Sequence, residues 1–441
     1  MRTTPHPDTL ADRYTAVRAQ SLALAAPLSE ADCQVQSMPD ASPVKWHLAH
    51  TTWFFETFVL APHLPGHRPF DPAFRVLFNS YYNGVGAQHP RTQRGLVTRP
   101  DLATVRAWRA AVDAQMAQLL AAPLATGVAD LVMLGLQHEQ QHQELVLTDL
   151  LHLLSCNPLA PAYLPLSAAT AAAAASAASA ASAASAMWIG QPGGLVEIGD
   201  GGGGFAFDNE GPRHAQHLRP YALASRPVCQ GDWAAFIADG GYADPRWWMS
   251  AGWDWVRSQR VDAPLHWRRG GSNSADWQVF GLHGLQPLQP GAPVCNISWF
   301  EADAHARWHA AQHPGSPPSR LPTEAEWEHA AQPLAPQALA AGNFLESGAL
   351  QPVATPGDAP GLQQLLGDVW EWTASPYTPY PGYRPWAGAV GEYNGKFMVN
   401  QMVLRGGSCA TPRSHIRASY RNFFPTDARW QFSGVRLARD L

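Results

Sequence analysis

A tract made almost wholly of alanine and serine, residues 167–186, divides the chain into two parts with different sequence patterns. Before the tract, apolar residues recur at three- and four-residue spacing in long segments. After it, the sequence is rich in Gly, Pro and Trp, and its apolar runs are short. Spacing of three and four is typical of one face of an α-helix, whereas short runs between Gly and Pro are typical of loops and strands. We therefore predict two domains, residues 1–166 and 187–441, joined by a linker.

Four segments of the first part carry the helical pattern. They are Thr9–Ala26, Val44–Ala61, Leu102–Ala122 and Ala129–Leu154. Each has one apolar face, and such helices bury their faces against one another, so we predict an antiparallel four-helix bundle. The Ala/Ser tract has no apolar stripe with which to pack, and we interpret it as a linker or a marginal exposed helix.

The second part predicts a loop-rich domain of mixed α and β structure. It contains a β-like run at Gly193–Gly199 and helical pieces near Trp299–Gln312 and Thr323–Ala331. Most of the 18 Trp residues of the chain lie in this part. A domain with little regular structure needs large aromatic side chains to fill its core. The whole chain is thus predicted to be an α+β protein.

Composition excludes several classes of function. The net charge is −5, and the Lys and Arg residues are scattered, so no nucleic-acid partner is expected. The five Cys residues form no CxxC pair, which argues against a disulfide framework and favours a reducing compartment. No apolar stretch has the length of a membrane span or the position of a signal peptide. We therefore expect a cytoplasmic protein with no membrane partner.

Histidines at helical spacing indicate a metal site. His138 and His142 are four residues apart, so their side chains point about 40° apart from one helix face. Glu144 lies about 200° from His142 on the same helix, which argues against a coordination sphere shared by all three. His47 and His50 lie on another amphipathic segment, and one of them is expected to point inward. Buried imidazoles need partners, and a metal supplies them.

The residues alone leave the metal and the role of these histidines open. Three imidazoles without a cysteine ligand suit zinc, copper or iron. A single HxxxH pair is equally consistent with two polar surface residues. Two such pairs on separate amphipathic segments, among apolar neighbours, favour the metal site.

Beyond these residues, both parts of the chain resemble known families. WHLAHTTWFFE (Trp46–Glu56) and the HxxxHxE stretch of residues 138–144 resemble the DinB-like iron-binding bundle of the ergothioneine-biosynthesis (EgtB-type) sulfoxide synthases, which include the related selenoneine synthases. RLPTEAEWE (Arg320–Glu328), GDVWEWTASPY (Gly367–Tyr377) and LRGGSC (Leu404–Cys409) resemble the formylglycine-generating-enzyme or sulfatase-modifying-factor fold, which is C-type-lectin-like. Together the two resemblances cover nearly the whole chain.

The resemblance implies a non-haem iron oxidoreductase that uses Fe(II) and O2. Such an enzyme forms a C–S or C–Se bond at the imidazole C2 of hercynine (trimethylhistidine), in ergothioneine or selenoneine biosynthesis. It implies that His50, His138 and His142 bind the iron, and that His47 and Glu144 support these ligands without touching the metal. The remaining coordination positions are left for the donor and O2.

The resemblance also implies residues that bind hercynine. A trimethylammonium group donates no hydrogen bond, so it is recognised by aromatic faces and by amide or carbonyl dipoles. By resemblance Asn422 contacts this group and Gln141 helps to position hercynine. Phe423, Phe424 and Trp430 are predicted to surround it. For Phe423 and Trp430, packing in the core is the simpler alternative.

A proton donor is expected because bond formation at an imidazole carbon with O2 passes through intermediates that must be protonated. FNSYYNGVG, with Tyr81 and Tyr82, resembles the paired-Tyr segment of one branch of the family, and we predict a catalytic role for these two residues. Tyr377 and Tyr380 are weaker candidates. A loop with aromatic packing is the alternative interpretation.

The chain departs from the family pattern where the donor is held. In the mycobacterial branch an Asp and an Arg grip γ-glutamylcysteine, but Phe424 and Ala428 stand at the matching positions here, which disfavours that dipeptide. Free cysteine and a selenosugar both stay open as donors. Cys409 lacks the second Cys of the formylglycine-generating enzymes, so we predict a small buried residue. The arginines available for a carboxylate or sugar phosphate are Arg91, Arg94, Arg99, Arg413 and Arg417.

Two functions of other classes compete with this one. The first is a metal-dependent thiol transferase or hydrolase of the DinB-like class, which would turn over without O2. The second is a non-enzymatic binding module with a structural metal. The oligomeric state, the choice between a sulfur and a selenium donor, and the Tyr that donates the proton are left open.

Overall fold

The computed structural model describes residues 9–166, 186–270, 277–355 and 360–441. They form two compact units: unit 1 is Met1–Pro158 with Ala387–Tyr393, and unit 2 is Leu159–Trp386 with Asn394–Leu441. The predicted linker, apart from Ala186, lies outside the described residues. Unit 1 is helical and the described strands belong to unit 2, so the predicted α+β class is confirmed.

The helices of unit 1 match the predicted bundle. They are α1 (Leu10–Ala25), α2 (Glu30–Gln34), α3 (Val44–Phe54), α4 (Ala61–His63), α5 (Phe74–Leu77), α6 (Leu102–Leu120) and α7 (Val128–Ser155). A π-helical stretch, Phe55–Leu60, continues α3, and 3-10 turns occur at Asn83–Val85 and Arg91–Leu96. The four long predicted helices are α1, α3 with its π-helical stretch, α6 and α7, which confirms the prediction.

Local signals explain where the long helices begin. The Thr9 side chain accepts the N–H of Asp12 at the start of α1, and Asp101 accepts the N–H of Thr104 at the start of α6. Gly127 precedes α7 with a φ of +82°, a conformation that glycine adopts without a Cβ penalty. Helix α1 packs on α7, and α3 packs on both α6 and α7. Through these contacts α3 and α7, which carry the predicted histidines, lie side by side.

A buried ion cluster joins three helices of the bundle. Glu139 of α7 accepts hydrogen bonds from Arg18 Nη1 at 2.9 Å, from Ser21 Oγ at 2.6 Å, and from Arg109 Nη2. Burial alone would raise the pKa of Glu139, but Arg109 and Arg18 outweigh burial and hold it at about 2. Because successive residues of a helix point about 100° apart, Glu139 meets α1 and α6 while its neighbour His138 faces α3.

We expect Glu139→Ala to lower the free energy of unfolding by about 3–5 kcal/mol, because it leaves the buried guanidinium of Arg109 without its carboxylate. Since the folded pKa of Glu139 lies below its ordinary value of 4.5, this stabilisation is present above that value. It is lost as the pH falls towards 2. Urea denaturation of the full chain at pH 7 and pH 3, followed by circular dichroism, measures both effects.

The matched control is Glu197→Ala, which removes an exposed pair with Arg213 at 3.7 Å. Exposed pairs of this kind contribute about 0–1 kcal/mol, so this variant should unfold like the unaltered chain. Equal effects of the two substitutions would contradict a role for the buried cluster.

Unit 2 is built from short strands in four small sheets with helices between them. The strand orders are β1-β4-β12, β10-β9-β8-β11, β2-β3 and β5-β6-β7. The strands are β1 (Trp188–Gln191), β2 (Gly194–Ile198), β3 (His214–Leu218), β4 (Tyr221–Ala224), β5 (Trp267–Arg269), β6 (Trp277–Gly281), β7 (Gly284–Pro287), β8 (Trp370–Pro376), β9 (Met402–Arg405), β10 (Asn422–Phe424), β11 (Ser433–Gly434) and β12 (Ala438–Asp440).

The helices of the later part of the chain are equally short. They are α8 (Gln230–Ala238), α9 (Ser250–Gln259), α10 (Trp299–Gln312), α11 (Glu324–Ala331), α12 (Ala335–Ala341) and α13 (Glu392–Gly395). The 3-10 turns are Asp208–Glu210, Pro245–Trp247, Gln332–Leu334, Leu345–Ser347, Ala389–Gly391 and Arg413–His415. Helices α10 and α11 are those that the sequence predicts. No helix in the described ranges combines the length and the apolar character that crossing a membrane requires.

The sequence motifs of the second part form the core of unit 2. Arg405 donates through Nη2 to Glu324 and to Glu328, both at 2.9 Å. Arg421, which directly precedes β10, also holds Glu324 through Nε and Nη2 at 2.9 Å. Buried charges persist only when they are paired in this way, so the charged residues of these motifs have a structural role. Cys409 is fully buried, as a small core residue would be.

Candidate metal centre

Three imidazoles converge inside unit 1. His50 comes from α3, and His138 and His142 come from α7; each offers a ring nitrogen that lies within 4.8 Å of the other two. The ring centroids are 5.0, 4.9 and 4.7 Å apart, and the rings are strongly inclined to one another. Among the described residues, no further group of three His, Cys, Asp or Glu side chains meets this distance criterion. The structure thus brings together the three histidines that the resemblance implies.

His50 has its orientation set by three contacts. Its Nδ1 is 2.7 Å from the carbonyl oxygen of Phe78, so Nδ1–H donates and Nε2 is left with a lone pair. Its ring lies between two indoles, stacked on Trp46 at 4.5 Å and on Trp53 at 5.4 Å. A ring held between two parallel aromatic faces has little freedom to tilt. The sequence carried a signal for this, since Trp46 and Trp53 lie four residues before and three after His50, on one helix face.

Two further residues, in contact one after the other, orient the ring of His142. Nδ1 of His142 is 2.8 Å from Nδ1 of His47, and Nε2 of His47 is 3.1 Å from Oδ2 of Asp149. The same carboxylate oxygen accepts the N–H of Ser42 at 2.8 Å. Because a carboxylate only accepts, His47 donates from Nε2 and accepts on Nδ1, so His142 must carry its proton on Nδ1. The lone pair of His142 is therefore on Nε2.

The series of contacts from His142 through His47 to Asp149 explains why the sequence contains two histidine pairs. His47 contacts His142, and it lies outside the three-histidine cluster. Sequence reasoning missed Asp149, although its spacing of seven residues from His142 is two helical turns and puts both residues on one face of α7. Carboxylate–histidine contacts of this kind orient metal ligands in many proteins.

His138 provides a test of whether a metal fits. Its ring is packed against Phe54, with centroids 5.0 Å apart, and its Nδ1 is buried without a hydrogen-bond partner in the described part of the chain. Burying an unsatisfied polar nitrogen is costly, and coordination of a metal through Nδ1 would remove that cost. Burial lowers the pKa of His138 to about 4. Burial and the neighbouring imidazoles also lower the pKa values of His50 and His142.

All three rings are consequently neutral at physiological pH, which is the form that binds metals. Two of them have a defined lone pair and the third has an unsatisfied nitrogen. Three neutral imidazoles without a thiolate suit a divalent ion such as iron, zinc or copper. The residues therefore fit a bound transition metal.

The remaining predicted residues of unit 1 lie around this cluster. Glu144 is buried on α7 but is not part of the cluster, in keeping with its angular position on the helix. Gln141 is partly buried beside His142. Tyr82 is buried, with its ring 5.5 Å from Trp53 and 5.1 Å from Phe58.

The two tyrosines of the paired segment have different surroundings. Tyr81 is half-buried, and its hydroxyl accepts a hydrogen bond from Arg91 Nη1 at 2.8 Å. Tyr82 is separated from the ring of His50 by one indole, that of Trp53. Burial raises the pKa of Tyr82 well above its ordinary value, so its phenol keeps its proton at neutral pH.

The predicted residues of unit 2 gather at β10. Asn422, Phe423 and Phe424 form the strand, and Trp430 packs edge-on against Phe424 with centroids 5.9 Å apart. Alternate residues of a strand face opposite sides, so Asn422 and Phe424 share one side and Phe423 faces the other. Phe423 is stacked on Tyr377 at 4.0 Å. This stacking favours the packing role that was the alternative for Phe423.

The weaker tyrosine candidates take part in structural contacts of unit 2. The hydroxyl of Tyr377 accepts from Asn209 Nδ2 at 2.9 Å. The hydroxyl of Tyr380 accepts from Arg405 Nη2 at 2.9 Å and donates to Glu324 at 3.2 Å. Tyr380 thus belongs to the buried ion network described above.

Comparison with known proteins agrees with the two-part architecture. Residues 13–146 match the DinB superfamily, and residues 172–441 match the sulfatase-modifying factor enzyme 1-like domain. The chain is 32% identical to a hercynine oxygenase of Mycolicibacterium thermoresistibile, with 99% of this chain and 96% of the relative covered. It is 33% identical to a hercynine oxygenase of Mycobacterium tuberculosis, with 99% of each covered.

A formylglycine-generating enzyme of Streptomyces coelicolor is 31% identical over 56% of this chain and 88% of its own length. The fold and the two family matches thus define a protein with a DinB-type helical domain followed by a sulfatase-modifying-factor-like domain. Because the similarity to the hercynine oxygenases extends over both domains, the chain belongs to the hercynine oxygenase (EgtB-type) family. The family resemblance drawn from the sequence motifs is confirmed.

Proposed function

We propose that this protein is an Fe(II)- and O2-dependent enzyme that joins a sulfur or selenium donor to the imidazole C2 of hercynine. The observation that carries the proposal is the convergence of His50, His138 and His142 in a chain whose full-length relatives are named hercynine oxygenases. Fe(II) bound by three imidazoles supplies open coordination positions at which O2 and a chalcogen donor are activated. The residues of the protein bind the metal and the substrates, orient them, and donate the proton.

Two sets of contacts orient the proposed ligands. The indoles of Trp46 and Trp53 keep the ring of His50 flat between them. His47 and Asp149 keep the proton of His142 on Nδ1. Ligands whose tautomer and ring plane are set beforehand need no rearrangement when the metal binds. These contacts support a site built for metal binding rather than a chance meeting of three core histidines.

Hercynine is proposed to be bound through its cationic and imidazole ends. Asn422 with Phe424 and Trp430 offers an amide dipole and aromatic faces, which suit a trimethylammonium group. Gln141 is proposed to position the imidazole, as the resemblance implies. Phe423 is the least suited of the predicted set because its face is stacked on Tyr377.

The donor is proposed to carry a negative charge. Arg94 is buried in unit 1, and among the described residues it has no acidic partner within salt-bridge distance. Its guanidinium lies 3.4 Å from the ring centre of Trp46 and donates to Ser42 Oγ at 2.9 Å, while its Nε has no partner in the described ranges. Burial lowers the pKa of Arg94 to about 9, which leaves it charged at pH 7. A buried cation of this kind favours an anionic ligand such as a carboxylate or phosphate.

The test is a set of parallel incubations of the purified chain with hercynine and Fe(II), followed by mass spectrometry. The donors are cysteine, cysteamine, which lacks the carboxylate, and a selenosugar. We expect a coupled product in air with cysteine or the selenosugar, and a poorer reaction with cysteamine. Turnover without O2 would instead indicate a thiol transferase, and absence of product with every donor would indicate a binding module.

We further propose that Tyr82 is the proton donor. Its phenol is neutral, buried, and one indole away from His50. Replacing Tyr82 with Phe should slow coupling about 10²–10⁴-fold, the usual contribution of general acid catalysis, and raise the share of oxidised donor. Product ratios measured by mass spectrometry check this, with Tyr81→Phe as the comparison. Unchanged ratios in both variants would contradict a role for either tyrosine.

We propose a cytoplasmic location, because the five cysteines are odd in number and form no CxxC pair, a pattern that suits a reducing compartment.

A further inference from the structure

The short segment Ala387–Tyr393 belongs to unit 1, although it lies far along the chain from the rest of that unit. Its 3-10 turn, Ala389–Gly391, lies against the 3-10 turn Asn83–Val85. The second of these turns directly follows Tyr81 and Tyr82 in the sequence. A segment remote in sequence therefore contacts the loop that carries the proposed proton donor.

The central contact is made by the carboxylate of Glu392. Its Oε2 accepts the N–H of Asn83 at 2.9 Å, and its Oε1 accepts the N–H of Gly84 at 2.8 Å. The N–H of Asn83 also points to the carbonyl oxygen of Tyr81, but at the longer distance of 3.2 Å. Two successive amides that share one carboxylate form a charge-assisted and strongly directional contact.

Gly84 is the residue that permits this approach. A Cβ built on Gly84 would lie 2.7 Å from Oε1 of Glu392 and 3.4 Å from Cβ of Ala389. Real Cβ atoms do not come as close as the first distance, so any larger residue would push the carboxylate away from the two amides. The contact between the Glu392 carboxylate and the two amides therefore requires glycine at position 84.

The same loop is held from its other side by Asn79. The Nδ2 group of this buried residue lies within 3.1 Å of the carbonyl oxygens of Tyr82 and Gly86, and 3.3 Å from that of Ala87. Asn79 therefore binds carbonyl groups of the loop, while Glu392 binds its amides. These contacts engage the carbonyl group of Tyr82 and the two amides that follow it, so together they restrict the path of the chain after Tyr82.

We propose that Glu392 is a positioning residue for the reaction, which acts by fixing the turn after Tyr82 so that the phenol stays against Trp53 and Phe58. This inference rests on the proposed function of Tyr82 as proton donor. Glu392 itself holds backbone amides, so it acts on the reaction only through the loop. Removal of the Glu392 carboxylate should therefore release the turn after Tyr82 and leave the three-histidine cluster unchanged.

The first experiment is hydrogen–deuterium exchange on the full chain carrying Glu392→Ala. We expect the amides of Asn83 and Gly84 to exchange at least tenfold faster, with metal binding unchanged. The matched control is Glu346→Ala, because both oxygens of Glu346 accept the N–H of Arg413, at 2.9 and 3.1 Å. That control should leave the exchange of residues 79–87 as it is. Unaltered exchange at residues 83 and 84 in the Glu392 variant would overturn the proposal.

A double-mutant cycle tests the contact itself. In a chain that keeps Glu392, Gly84→Ala should speed exchange of the same amides, because the added methyl group displaces the carboxylate. In the Glu392→Ala background, Gly84→Ala should add nothing further, since the group that it displaces is gone. Simple addition of the two effects would overturn the proposed dependence of one residue on the other.

The reaction provides the second readout. Glu392→Ala should raise the share of oxidised donor, as Tyr82→Phe does, and leave the KM for hercynine unchanged. The variant carrying both substitutions should be no worse than Tyr82→Phe alone. If Tyr82→Phe changes the product ratio and Glu392→Ala does not, the positioning role is wrong. If even the unaltered chain makes no coupled product, the proposed function fails, and the exchange experiment still decides whether Glu392 holds the turn.

Discussion

His138→Ala is expected to abolish stoichiometric metal binding, with a loss of affinity larger than the ~10–100-fold that removal of residues behind a ligand causes. His138 contributes one of three converging nitrogens, and Ala leaves two imidazoles on different helices. Anaerobic titration with Fe(II), or with Zn²⁺ as a redox-inert probe, measures the change. A ligand that binds only the folded chain also raises its melting temperature, so added metal should stabilise the unaltered chain and not this variant.

The control for this experiment is His152→Ala. His152 lies on the same helix and is bonded to Ser37 Oγ at 2.8 Å, outside the cluster. This variant should bind metal like the unaltered chain. Full metal occupancy in His50→Ala, His138→Ala and His142→Ala alike would refute the metal site, and with it the proposed iron chemistry.

Asp149→Ala is expected to weaken metal binding by about 10–100-fold, although Asp149 lies outside the cluster. Without the carboxylate, Nε2–H of His47 loses its acceptor, and His47 is free to carry its proton on Nδ1 instead. In that tautomer His47 donates to Nδ1 of His142, which moves the proton of His142 to Nε2 and removes the lone pair needed for coordination. Titration with Zn²⁺ measures the loss.

Asp149→Asn and Asp130→Ala separate the causes. The amide oxygen of Asn can still accept from His47 and Ser42, so this variant should retain more affinity than Asp149→Ala if hydrogen-bond geometry matters more than charge. Asp130 is exposed in the first turn of the same helix, and its removal should leave metal binding as it is. An affinity for Asp149→Ala equal to that of the Asp130 control would contradict the relay through His47.

Much of unit 1 could be predicted because its signals are local. Apolar spacing placed α1, α6 and α7 to within two residues of their observed ends. The four-residue spacing of His138 and His142 predicted that both rings leave one face of a helix, and they lie together in the cluster. The π-helical stretch Phe55–Leu60 was not predicted, because it continues the apolar pattern of α3 with only a change in hydrogen-bond spacing.

The surroundings of the site were harder to predict, since they join residues remote in sequence. Asp149 and the two indoles around His50 had signals in their helical spacing, but spacing does not say which partner a residue meets. Nothing in the sequence connects Glu392 with Gly84, because the two residues are brought together only by the folded chain. In unit 2 the strands are short and irregularly paired, so the spacing of apolar residues carries little information. The motifs that resemble a known fold were more informative there than the apolar spacing.

The sequence by itself determined that the chain is α+β, that its first part is a helical bundle, and that three imidazoles from two helices are available to a metal. These properties follow from periodicity along the chain, which reflects the geometry of a single helix. Helical spacing left open whether His47 or His50 joins the cluster, although the family resemblance implied His50; the tertiary structure decided this, and also on which nitrogen His142 carries its proton. Those choices depend on the rotation of α3 against α7 and on Asp149, and such packing between helices leaves no periodic trace in the sequence.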